Sequence, residues 1–328
     1  SDIISLSHSV VDRLLPEVRG ELFMSSARYR YVAEVLRRIV GRAAVVTAEH
    51  MKRGRFRPLS TEVKFGMEGG LPPFRIKAGP KEEVLLRGQI DRIDVGFAEG
   101  RPYIRIVDYK SSKRTLDLVE VWNGLSLQLL VYLIVALESW PFIADAAKAI
   151  SGLAGPGDGR GSGPGDKPLP AGALYFTLRD PLIAEKGPVA REVSERKIIK
   201  ELRTTGLLVD DLGVLRIMDS LSSGHSDIIP VMFTSKGVGG KSSVARLEDF
   251  EALLRHVKRK VGEMCRRIFA GDIEIAPFRR GEVRACTFCP YGPLCWFDVL
   301  LPGNRYRVIA PPPGGIWQEI RGGGGVDG

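Results

Sequence analysis

Cysteine is scarce in this sequence, with four residues in 328, and long apolar runs are absent. The longest apolar stretch, 127–137, is far shorter than the roughly 20 residues that span a bilayer. No N-terminal segment combines a basic start, an apolar block and a small-residue cleavage site. Four cysteines are too few for the disulfide framework of a secreted domain. The sequence therefore predicts a cytoplasmic protein that has no membrane partner.

Acidic residues are outnumbered, since 39 Asp and Glu face 48 Lys and Arg and leave a formal net charge of +9. Hydrophobic residues make up 44% of the chain and charged residues 27%, which are ordinary values for a globular protein and exclude global disorder. The positive excess is compatible with a polyanionic partner such as a nucleic acid. It is equally compatible with a globular protein that is merely basic.

The periodicity of apolar residues predicts a mixed α/β fold (α+β) with antiparallel strands in the middle of the chain. Helices are predicted over 2–20, 25–52, 124–140, 191–205, 212–222 and 247–270, and a further helix begins near Asp117. Strands are predicted over 60–66, 72–77, 84–97, 102–110, 172–178 and 227–234. Residues 151–168 contain seven glycines and three prolines, which predicts a flexible surface loop, and the tail from Pro302 is predicted to be mobile.

The segment 84–112 contains two strand-like runs joined at Glu99-Gly100. A two-residue turn with Gly at its second position favours a tight β-hairpin. In that register, residues whose numbers sum to about 199 face each other, so Asp91 lies opposite Asp108. Alternation of side chains then predicts one shared face for Gln89, Asp91, Ile93, Val95, Phe97, Ile104, Ile106, Asp108 and Lys110.

Two carboxylates opposed on a sheet, with Cβ atoms roughly 4.5–5.5 Å apart, repel each other. A divalent cation between Asp91 and Asp108 would remove that repulsion, and Mg²⁺ is commonly bound by one or two carboxylates plus water. Lys110 would add a positive charge on the same face, and a metal ion beside a cation suits phosphodiester hydrolysis. On spacing alone, an exposed Asp–Lys salt bridge at the end of a hairpin is the alternative.

The apolar helix that follows carries two polar-tipped residues, Gln128 and Tyr132, which are four positions apart and therefore share one face. A buried Gln needs a hydrogen-bond partner, and the charged end of the hairpin would supply one. A Gln exposed to water at the helix boundary is the alternative.

Three segments, GQIDRID (88–94), IVDYKSS (106–112) and LQLLVYL (127–133), resemble the successive motifs of the RecB-type PD-(D/E)xK nucleases. Together with RFRPLSTEVKFG, GLSLQLLVYL, ALYFTLRDPLI and CTFCPYGPLCWFD, they are closely similar to the nuclease domains of the AddB family of bacterial helicase–nuclease proteins. The resemblance runs from about residue 15 to residue 306. Each motif alone is weak evidence, whereas their order and spacing together are specific.

The resemblance implies a restriction-endonuclease-like core, with a central mixed sheet flanked by helices and a C-terminal iron–sulfur cysteine segment. It implies a RecB-type nuclease domain over 1–298, including a Gly/Pro loop at 151–170 and a cluster loop at 286–295, followed by a tail over 299–328. It also implies that part of this domain precedes Ser1, because the family's upstream cysteine and histidine motif are missing and His50 lies too late in the chain to be that histidine.

By the same resemblance, the two aspartates of the hairpin are Mg²⁺ ligands, the lysine is catalytic, and the polar pair of the helix forms the family's Q-x-x-x-Y motif. These catalytic-site residues are Asp91, Asp108, Lys110, Gln128 and Tyr132. Glu62 occupies a place where such nucleases often have a further acid. Asp94 is predicted to lie on the opposite face of the sheet, with a structural role.

The activity implied is metal-dependent DNA exonuclease cleavage of the 5′-ended strand, within a helicase–nuclease that processes double-strand breaks for recombinational repair. The partners implied are DNA and a second helicase–nuclease protein of the AddA type, with the ATPase motor outside this chain. Two alternatives are a catalytically inactive nuclease fold that serves as a DNA-binding scaffold and a free-standing zinc-ribbon binder of nucleic acid.

Three of the cysteines, Cys286, Cys289 and Cys295, are spaced as a short metal-binding cluster. Zinc and an iron–sulfur cluster both need a fourth ligand. Cys265 lies within a predicted helix, where a lone cysteine is usually a small buried residue, and His256 could complete a Cys₃His zinc site. The family resemblance instead implies a [4Fe–4S] cluster whose fourth cysteine lies upstream of this chain.

Each of two further segments has a pattern with more than one possible interpretation. SKGVGGKSS (235–243) resembles a P-loop only in part, because position 235 is Ser where the pattern requires Gly, and a surface turn is predicted. The helix segment 255–267 carries six Lys or Arg and one Glu. It is either a solvated helix face or a surface that follows a phosphate backbone without sequence preference.

Overall fold

A six-stranded mixed sheet lies at the centre of the computed structural model, which describes residues 2–18, 26–153, 167–184 and 187–322. The helices are α1 (Asp2–Leu14), α2 (Ala27–Arg53), α3 (Leu118–Trp122), α4 (Gln128–Glu138), α5 (Trp140–Leu153), α6 (Arg191–Glu201), α7 (Leu212–Met218), α8 (Leu247–Phe269), α9 (Gly292–Cys295) and α10 (Ile316–Gly322). A 3₁₀ helix covers Ala285–Phe288.

The strands follow the chain as β1 (Arg57–Phe65), β2 (Phe74–Lys77), β3 (Glu83–Leu86), β4 (Gly88–Ala98), β5 (Arg101–Lys110), β6 (Leu169–Thr177), β7 (Thr205–Val209), β8 (Gly224–His225), β9 (Met232–Thr234), β10 (Gly237–Val238), β11 (Val244–Ala245), β12 (Phe278–Arg280), β13 (Val283–Arg284) and β14 (Arg307–Val308). The central sheet has the order β1-β4-β5-β6-β7-β11. Its β5–β6 and β7–β11 pairs are parallel and its other pairs are antiparallel. The predicted central mixed sheet is therefore confirmed.

Both faces of the sheet are covered by helices, which gives a three-layer arrangement with two apolar cores. On one face, β4 and β5 contribute Ile93, Ile104 and Ile106 to a core that also includes residues of α4 and α8. On the other face, Phe56, Val107 and Leu174 pack with residues of α7. The sheet flanked by helices on both sides is the architecture that the family resemblance implied.

Helix α4 is apolar on nearly all sides because it is buried between the sheet and α8. Seven of its eleven residues are buried, and its two exposed residues, Gln128 and Glu138, lie at its ends, with Gln128 near the end of β5. Among the described residues, no single helix is long and apolar enough to cross a bilayer; α4 and α5 reach that length only as a pair bent by 81°.

The β4–β5 hairpin has the turn that the sequence predicted. Glu99 and Gly100 have φ values of 50° and 77°, and the turn is closed by pairing of Ala98 with Arg101. Positive φ at both central residues is the signature of a type I′ turn, whose twist matches that of the strands. The predicted register is confirmed, since Val95 pairs with Ile104 and Ile93 pairs with Ile106.

Several boundaries differ from the sequence-based expectation. The predicted strand 84–97 divides into β3 and β4 around Arg87, and the predicted helix 124–140 divides into α4 and the start of α5 at Ser139. Strand β7 was not predicted at all, because a five-residue strand that begins Thr-Gly has too little periodicity to identify. In the predicted strand 227–234, only Met232–Thr234 forms a strand.

Part of the predicted mobile tail is packed on the body of the protein, and residues 323–328 of that tail lie outside the described residues. Strand β14 pairs with β12, Ile320 of α10 is 2% exposed, and Arg321 forms an ion pair with Asp249 of α8. Most of the Gly/Pro loop prediction, residues 154–166, lies outside the described residues, as do residues 19–20 of the first predicted helix.

Candidate active site

The hydrogen-bonded ladder between β4 and β5 ends at the pair formed by Arg92 and Val107. Asp91 and Asp108 are the next residues in register, so they lie where the two strands begin to diverge. The main-chain N–H of Tyr109 donates a hydrogen bond of 2.7 Å to Oδ2 of Asp91. This bond replaces the missing ladder contact and holds the Asp91 carboxylate against the end of β5.

Asp108 is 2% exposed, and its Oδ2 atom lies 2.6 Å from Nζ of Lys110. Burial raises the pKa of the Asp108 carboxyl, Lys110 opposes that rise, and the negative charge of Asp91 adds to it. The two carboxylates are thus close enough to act on each other electrostatically. Oδ2 of Asp108 is buried and, beyond its ion pair with Lys110, accepts no hydrogen bond of ordinary geometry from the described residues.

Helix α4 contributes a polar pair to the same place. Nζ of Lys110 donates to Oε1 of Gln128 over 3.3 Å, and Nε2 of Gln128 donates to the hydroxyl of Tyr132 over 2.8 Å. The predicted contact of Gln128 with the charged end of the hairpin is present, and Gln128 is also exposed at the N-terminal boundary of α4, as the alternative stated. Lys110 is therefore oriented from two sides, by a carboxylate on its own strand and by an amide on the helix.

Glu62 of β1 lies beside this site in an unusual backbone conformation. By the β1–β4 register it falls opposite Asp91, between the pairs Thr61–Arg92 and Val63–Ile90. Its φ of 52° is in the left-handed region, which is uncommon for residues other than glycine. Its carboxylate accepts a hydrogen bond from the side chain of Gln89.

The alternation of β4 is interrupted at this point. Ile90 and Ile93 belong to the same apolar core although they are three positions apart. Strict alternation, which predicted that Gln89 through Phe97 present every second side chain to one face, is therefore wrong N-terminal to Ile93. The interruption falls where Glu62 departs from extended geometry, so Asp91 lies at a local irregularity of the sheet.

The opposite face of the hairpin carries a buried ionic cluster. Asp94 is fully buried; it accepts hydrogen bonds of 2.6 and 2.7 Å from Arg92 and one of 2.8 Å from Arg105. Arg105 also lies over the ring of Phe56, 4.7 Å from its centroid. The structure thus places Asp94 away from Asp91 and Asp108, as predicted. The sequence analysis missed the two arginines, although their signal was visible as charged residues inside apolar strands.

The donor set suits a hard divalent cation such as Mg²⁺, because it consists of carboxylate oxygens. Among the described residues, no three His, Cys, Asp or Glu side chains are arranged to hold one ion. An ion bound by Asp91 and Asp108 would therefore keep water in its remaining positions, as Mg²⁺ commonly does. The carboxylates of Asp91 and Asp108 therefore fit the Mg²⁺ ion that the sequence predicted.

A further cation missed by the sequence analysis is Arg114, in the segment after β5. It is exposed, and its charge acts on both Asp108 and Tyr175. Its carbonyl accepts a hydrogen bond from the hydroxyl of Thr205 at the start of β7, which fixes the segment near the end of the sheet. An exposed guanidinium in this position can bind a phosphate group.

The structure brings Cys286, Cys289 and Cys295 to the wall of one cavity of about 550 Å³, which Tyr306 also lines. All three thiols are free, and Cys289 and Cys295 are exposed. The spacing predicted that the three thiols lie within a few ångströms of one another. In the structure they share one cavity, and among the described residues no three cysteines are arranged to hold one ion.

The two alternative ligands lie elsewhere. Cys265 is buried within α8 and belongs to the apolar core beside the sheet. His256, also buried on α8, stacks on Trp122 with ring centroids 4.8 Å apart, and burial lowers the pKa of its imidazole to about 4. Neither residue lines the cysteine cavity, so the structure disfavours a Cys₃His site built with His256.

The structure also shows the positions of the P-loop-like segment 235–243 and of the basic helix segment 255–267. Residues 235–243 form the turn between β9 and β10 and its continuation, and α8 begins only at Leu247, so the surface-turn prediction is confirmed. Helix α8 buries its apolar side and exposes a basic side. The exposed cations within 255–267 are Arg255, Lys258, Arg259, Arg266 and Arg267.

Comparison with known proteins agrees with this geometry. The family model described as the PD-(D/E)XK nuclease superfamily matches residues 4–296. The chain is 40% identical over 320 residues to a protein of Moorella thermoacetica that is named as one of the subunits of an ATP-dependent helicase/deoxyribonuclease. The matched region covers 97% of this chain and 26% of that protein.

The chain is 39% identical over 318 residues to the protein of the same name from Pelotomaculum thermopropionicum, with coverage of 96% of this chain and 26% of the relative. For the relative from Heliobacterium modesticaldum the identity is 38% over 327 residues, with coverage of 98% and 26%. The chain therefore spans about a quarter of the length of these relatives. With its sheet, its Asp–x–Lys strand and a family match over most of its length, the chain belongs to the PD-(D/E)XK nuclease superfamily.

Proposed function

We propose that this chain hydrolyses phosphodiester bonds in DNA, using Mg²⁺ held by Asp91 and Asp108. The observation that carries the proposal is the position of Lys110, whose Nζ lies 2.6 Å from the buried Asp108 carboxylate and 3.3 Å from Gln128. A cation held this firmly beside a pair of carboxylates is unnecessary for packing. It supplies positive charge at the point where a phosphate would meet the ion.

Each side chain then has a part in the reaction. Asp91 and Asp108 hold the ion, which when bound activates water and offsets negative charge on the phosphate. Lys110 stabilises the negative charge that develops on the phosphate oxygens, because its ammonium group is already oriented before substrate binds. Gln128 and Tyr132 orient Lys110, and Glu62 is proposed to assist as a further acid at the edge of the site.

Substrate binding is proposed to use the exposed cations. Arg114, whose carbonyl accepts a hydrogen bond from Thr205 at the end of the sheet, is proposed to bind a phosphate next to the one that is cleaved. The basic side of α8 is proposed to follow the phosphate backbone, which gives binding without sequence preference. Both contacts favour a nucleic acid over a small phosphate ester.

The finer features are proposed on the resemblance to AddB-type proteins. They are exonuclease cleavage of the 5′-ended strand, double-strand-break processing in the cytoplasm, and assembly with a helicase–nuclease protein of the AddA type. The chain is proposed to form one nuclease domain over 1–298, with 299–328 as an appended segment. Relatives are named as subunits of a helicase/deoxyribonuclease, which supports a protein partner for this chain.

Metal removal tests the proposed activity directly. Linear DNA labelled at its 5′ or 3′ end should be degraded by the full chain in Mg²⁺, and EDTA should reduce cleavage to background because the carboxylates then lack their ion. Label release should occur from the 5′ end, and covalently closed circular DNA should remain intact as the control. DNA binding without cleavage in Mg²⁺ would contradict the proposal and favour the inactive DNA-binding scaffold.

We propose that Cys286, Cys289 and Cys295 hold a [4Fe–4S] cluster, and that the fourth ligand of this cluster is a residue other than Cys265. The lining of one cavity by all three cysteines supports this proposal, and Cys265 is buried in the core away from that cavity. A fourth ligand from upstream sequence would join the two ends of the domain. Closing so long a loop stabilises the folded chain by several kcal/mol in the chain-entropy model.

Substitution of single cysteines tests this ligand assignment. In the full-length protein, Cys289→Ser should remove most of the bound iron and sulfide, because a thiolate ligand is lost. Cys265→Ala, the matched control, should retain them. Iron and sulfide analysis and the visible absorbance of the cluster are the measurements. Loss of the cluster in Cys265→Ala alone would show that Cys265 is a ligand and that the assignment is wrong.

A further inference from the structure

The back face of the β4–β5 hairpin holds three buried charges that the proposed chemistry does not use. Arg92, Asp94 and Arg105 are 4%, 0% and 2% exposed. Burial of charged groups is costly unless each is paired, and here one carboxylate is shared by two guanidinium groups. An apolar face at the same place would fold at a lower cost in free energy, so stability alone does not explain why the cluster is there.

Each arginine makes a different connection. Asp94 and Arg105 are partners in the ladder, so their 2.8 Å bond crosses directly from β4 to β5. Arg92 uses Nε and Nη2 to bind both oxygens of Asp94, which fixes its planar guanidinium in one orientation. Its remaining nitrogen, Nη1, then donates to the hydroxyl of Tyr109 over 3.3 Å.

Tyr109 connects this cluster to the front of the sheet. It stands between Asp108 and Lys110 in β5, and its main-chain N–H is the donor to Oδ2 of Asp91. On the back face its ring makes an edge contact with Phe176, with centroids 5.8 Å apart. One residue therefore contacts a proposed metal ligand through its backbone and the buried cluster through its side chain.

The connection matters because the ladder between β4 and β5 ends one pair before the carboxylates. Beyond Arg92 and Val107 no ladder pair fixes the distance between these two described strands. On the other side of β4, the pairs Thr61–Arg92 and Val63–Ile90 hold the strand against β1, although Glu62, which falls opposite Asp91, has a φ of 52°. The hydrogen bond from the main-chain N–H of Tyr109 to Asp91 is therefore a direct link between β4 and β5 at the level of the two carboxylates.

We propose that Arg92 and Tyr109 are positioning residues that set the separation of the Asp91 and Asp108 carboxylates from the opposite face of the sheet. The inference rests on the proposed function, since it concerns the site at which a divalent cation would bind. Asp94 and Arg105 hold Arg92 in place, and Arg92 holds the side chain of Tyr109. The main-chain N–H of Tyr109 in turn holds the Asp91 carboxylate.

The test removes one hydroxyl and measures metal binding rather than activity. Tyr109→Phe keeps the ring, the contact with Phe176 and the main-chain donor, but loses the bond to Arg92. Binding of Mn²⁺ to the full chain is measured by titration, with electron paramagnetic resonance reporting the free ion. We expect the Kd for Mn²⁺ to rise about tenfold, which is the low end for loss of a residue that orients a metal ligand.

Tyr103→Phe is the matched control, because Tyr103 is a buried tyrosine of the same strand far from the carboxylates. It should leave the Kd for Mn²⁺ unchanged. The urea unfolding midpoints of both variants should stay close to that of the unaltered chain, which separates positioning from stability.

The outcomes separate the two proposals. Equal Mn²⁺ affinity in Tyr109→Phe and Tyr103→Phe would overturn the positioning role while leaving the proposed metal site intact. A fall in affinity that only accompanies a fall in the unfolding midpoint would also overturn it. If the unaltered chain binds no Mn²⁺, both the proposed function and this inference are wrong.

Discussion

Replacing Lys110 by alanine is expected to lower the rate of DNA cleavage about a thousandfold, since loss of one preorganised charge-stabilising group typically costs that much. Lys110 is half-buried and held by Asp108 and Gln128, so its ammonium group loses little entropy when the reaction begins. Neighbouring cations cannot replace it, because Arg114 lies in a separate segment tied to Thr205. Asp108→Ala should have an effect of at least similar size, through loss of a metal ligand.

The measurement is the single-turnover cleavage rate of end-labelled DNA in saturating Mg²⁺. Binding of the same DNA should change by less than about threefold, because several phosphate contacts share non-specific affinity. Lys113→Ala is the matched control, since Lys113 is an exposed lysine a few positions further along the chain. It should cleave at close to the unaltered rate. Near-normal cleavage by Lys110→Ala would assign the chemistry to another site.

The register of the central hairpin could be predicted from the sequence because it depends on local chemistry. A Glu-Gly turn with positive φ at both residues fixes which residues face each other along the whole hairpin. Apolar alternation then assigns the faces from Ile93 to Phe97. The contact between Lys110 and Gln128 could be predicted for a related reason, because Gln128 and Tyr132 share one helix face and the charged end of the hairpin offers that face a polar partner.

The irregularity at Asp91 could not be predicted, because it arises from tertiary contacts rather than from local propensity. Glu62 has no sequence feature that favours a φ of 52°, and Ile90 is an ordinary strand residue. Strand β7 escaped prediction because it is short and begins Thr-Gly; its Gly206, whose φ is 138°, packs against the backbone of β6 only in the assembled sheet. A resemblance to a family supplied the motif order, but these departures required the structure.

The buried cluster of Arg92, Asp94 and Arg105 shows a third limit on what the sequence can predict. Arg92, Asp94 and Arg105 were visible in the sequence as charges in apolar strands, and the face of Asp94 was predicted. Their mutual pairing depends on which rotamers the two arginines adopt, and on the crossing of β4 and β5. Sequence patterns give the faces of side chains, whereas hydrogen-bond partners across a sheet depend on geometry.

Removal of Asp94 is expected to destabilise the fold strongly. Asp94→Ala leaves two buried guanidinium groups without their counter-ion, and breaking a buried pair in this way costs about 3–5 kcal/mol of unfolding free energy. Urea unfolding at neutral pH is the measurement. Asp145→Ala is the control, because the Asp145 side chain is 98% exposed and its pair with Lys148 should contribute less than about 1 kcal/mol.

The pH dependence of the unfolding free energy that Asp94→Ala loses provides an independent check. Burial alone would raise the pKa of the Asp94 carboxyl, but the charges of Arg105 and Arg92 outweigh burial and hold that pKa below its ordinary value. A depressed pKa in the folded state adds stability at pH values above the ordinary carboxyl pKa of about 3.9, and this stability is lost as the pH falls further. The difference in unfolding free energy between the unaltered chain and Asp94→Ala should therefore stay constant near neutrality and narrow in acid. A difference that is already below about 1 kcal/mol at neutral pH would mean that water reaches and solvates the two arginines. The cluster would then be too loose to fix the position of Asp91.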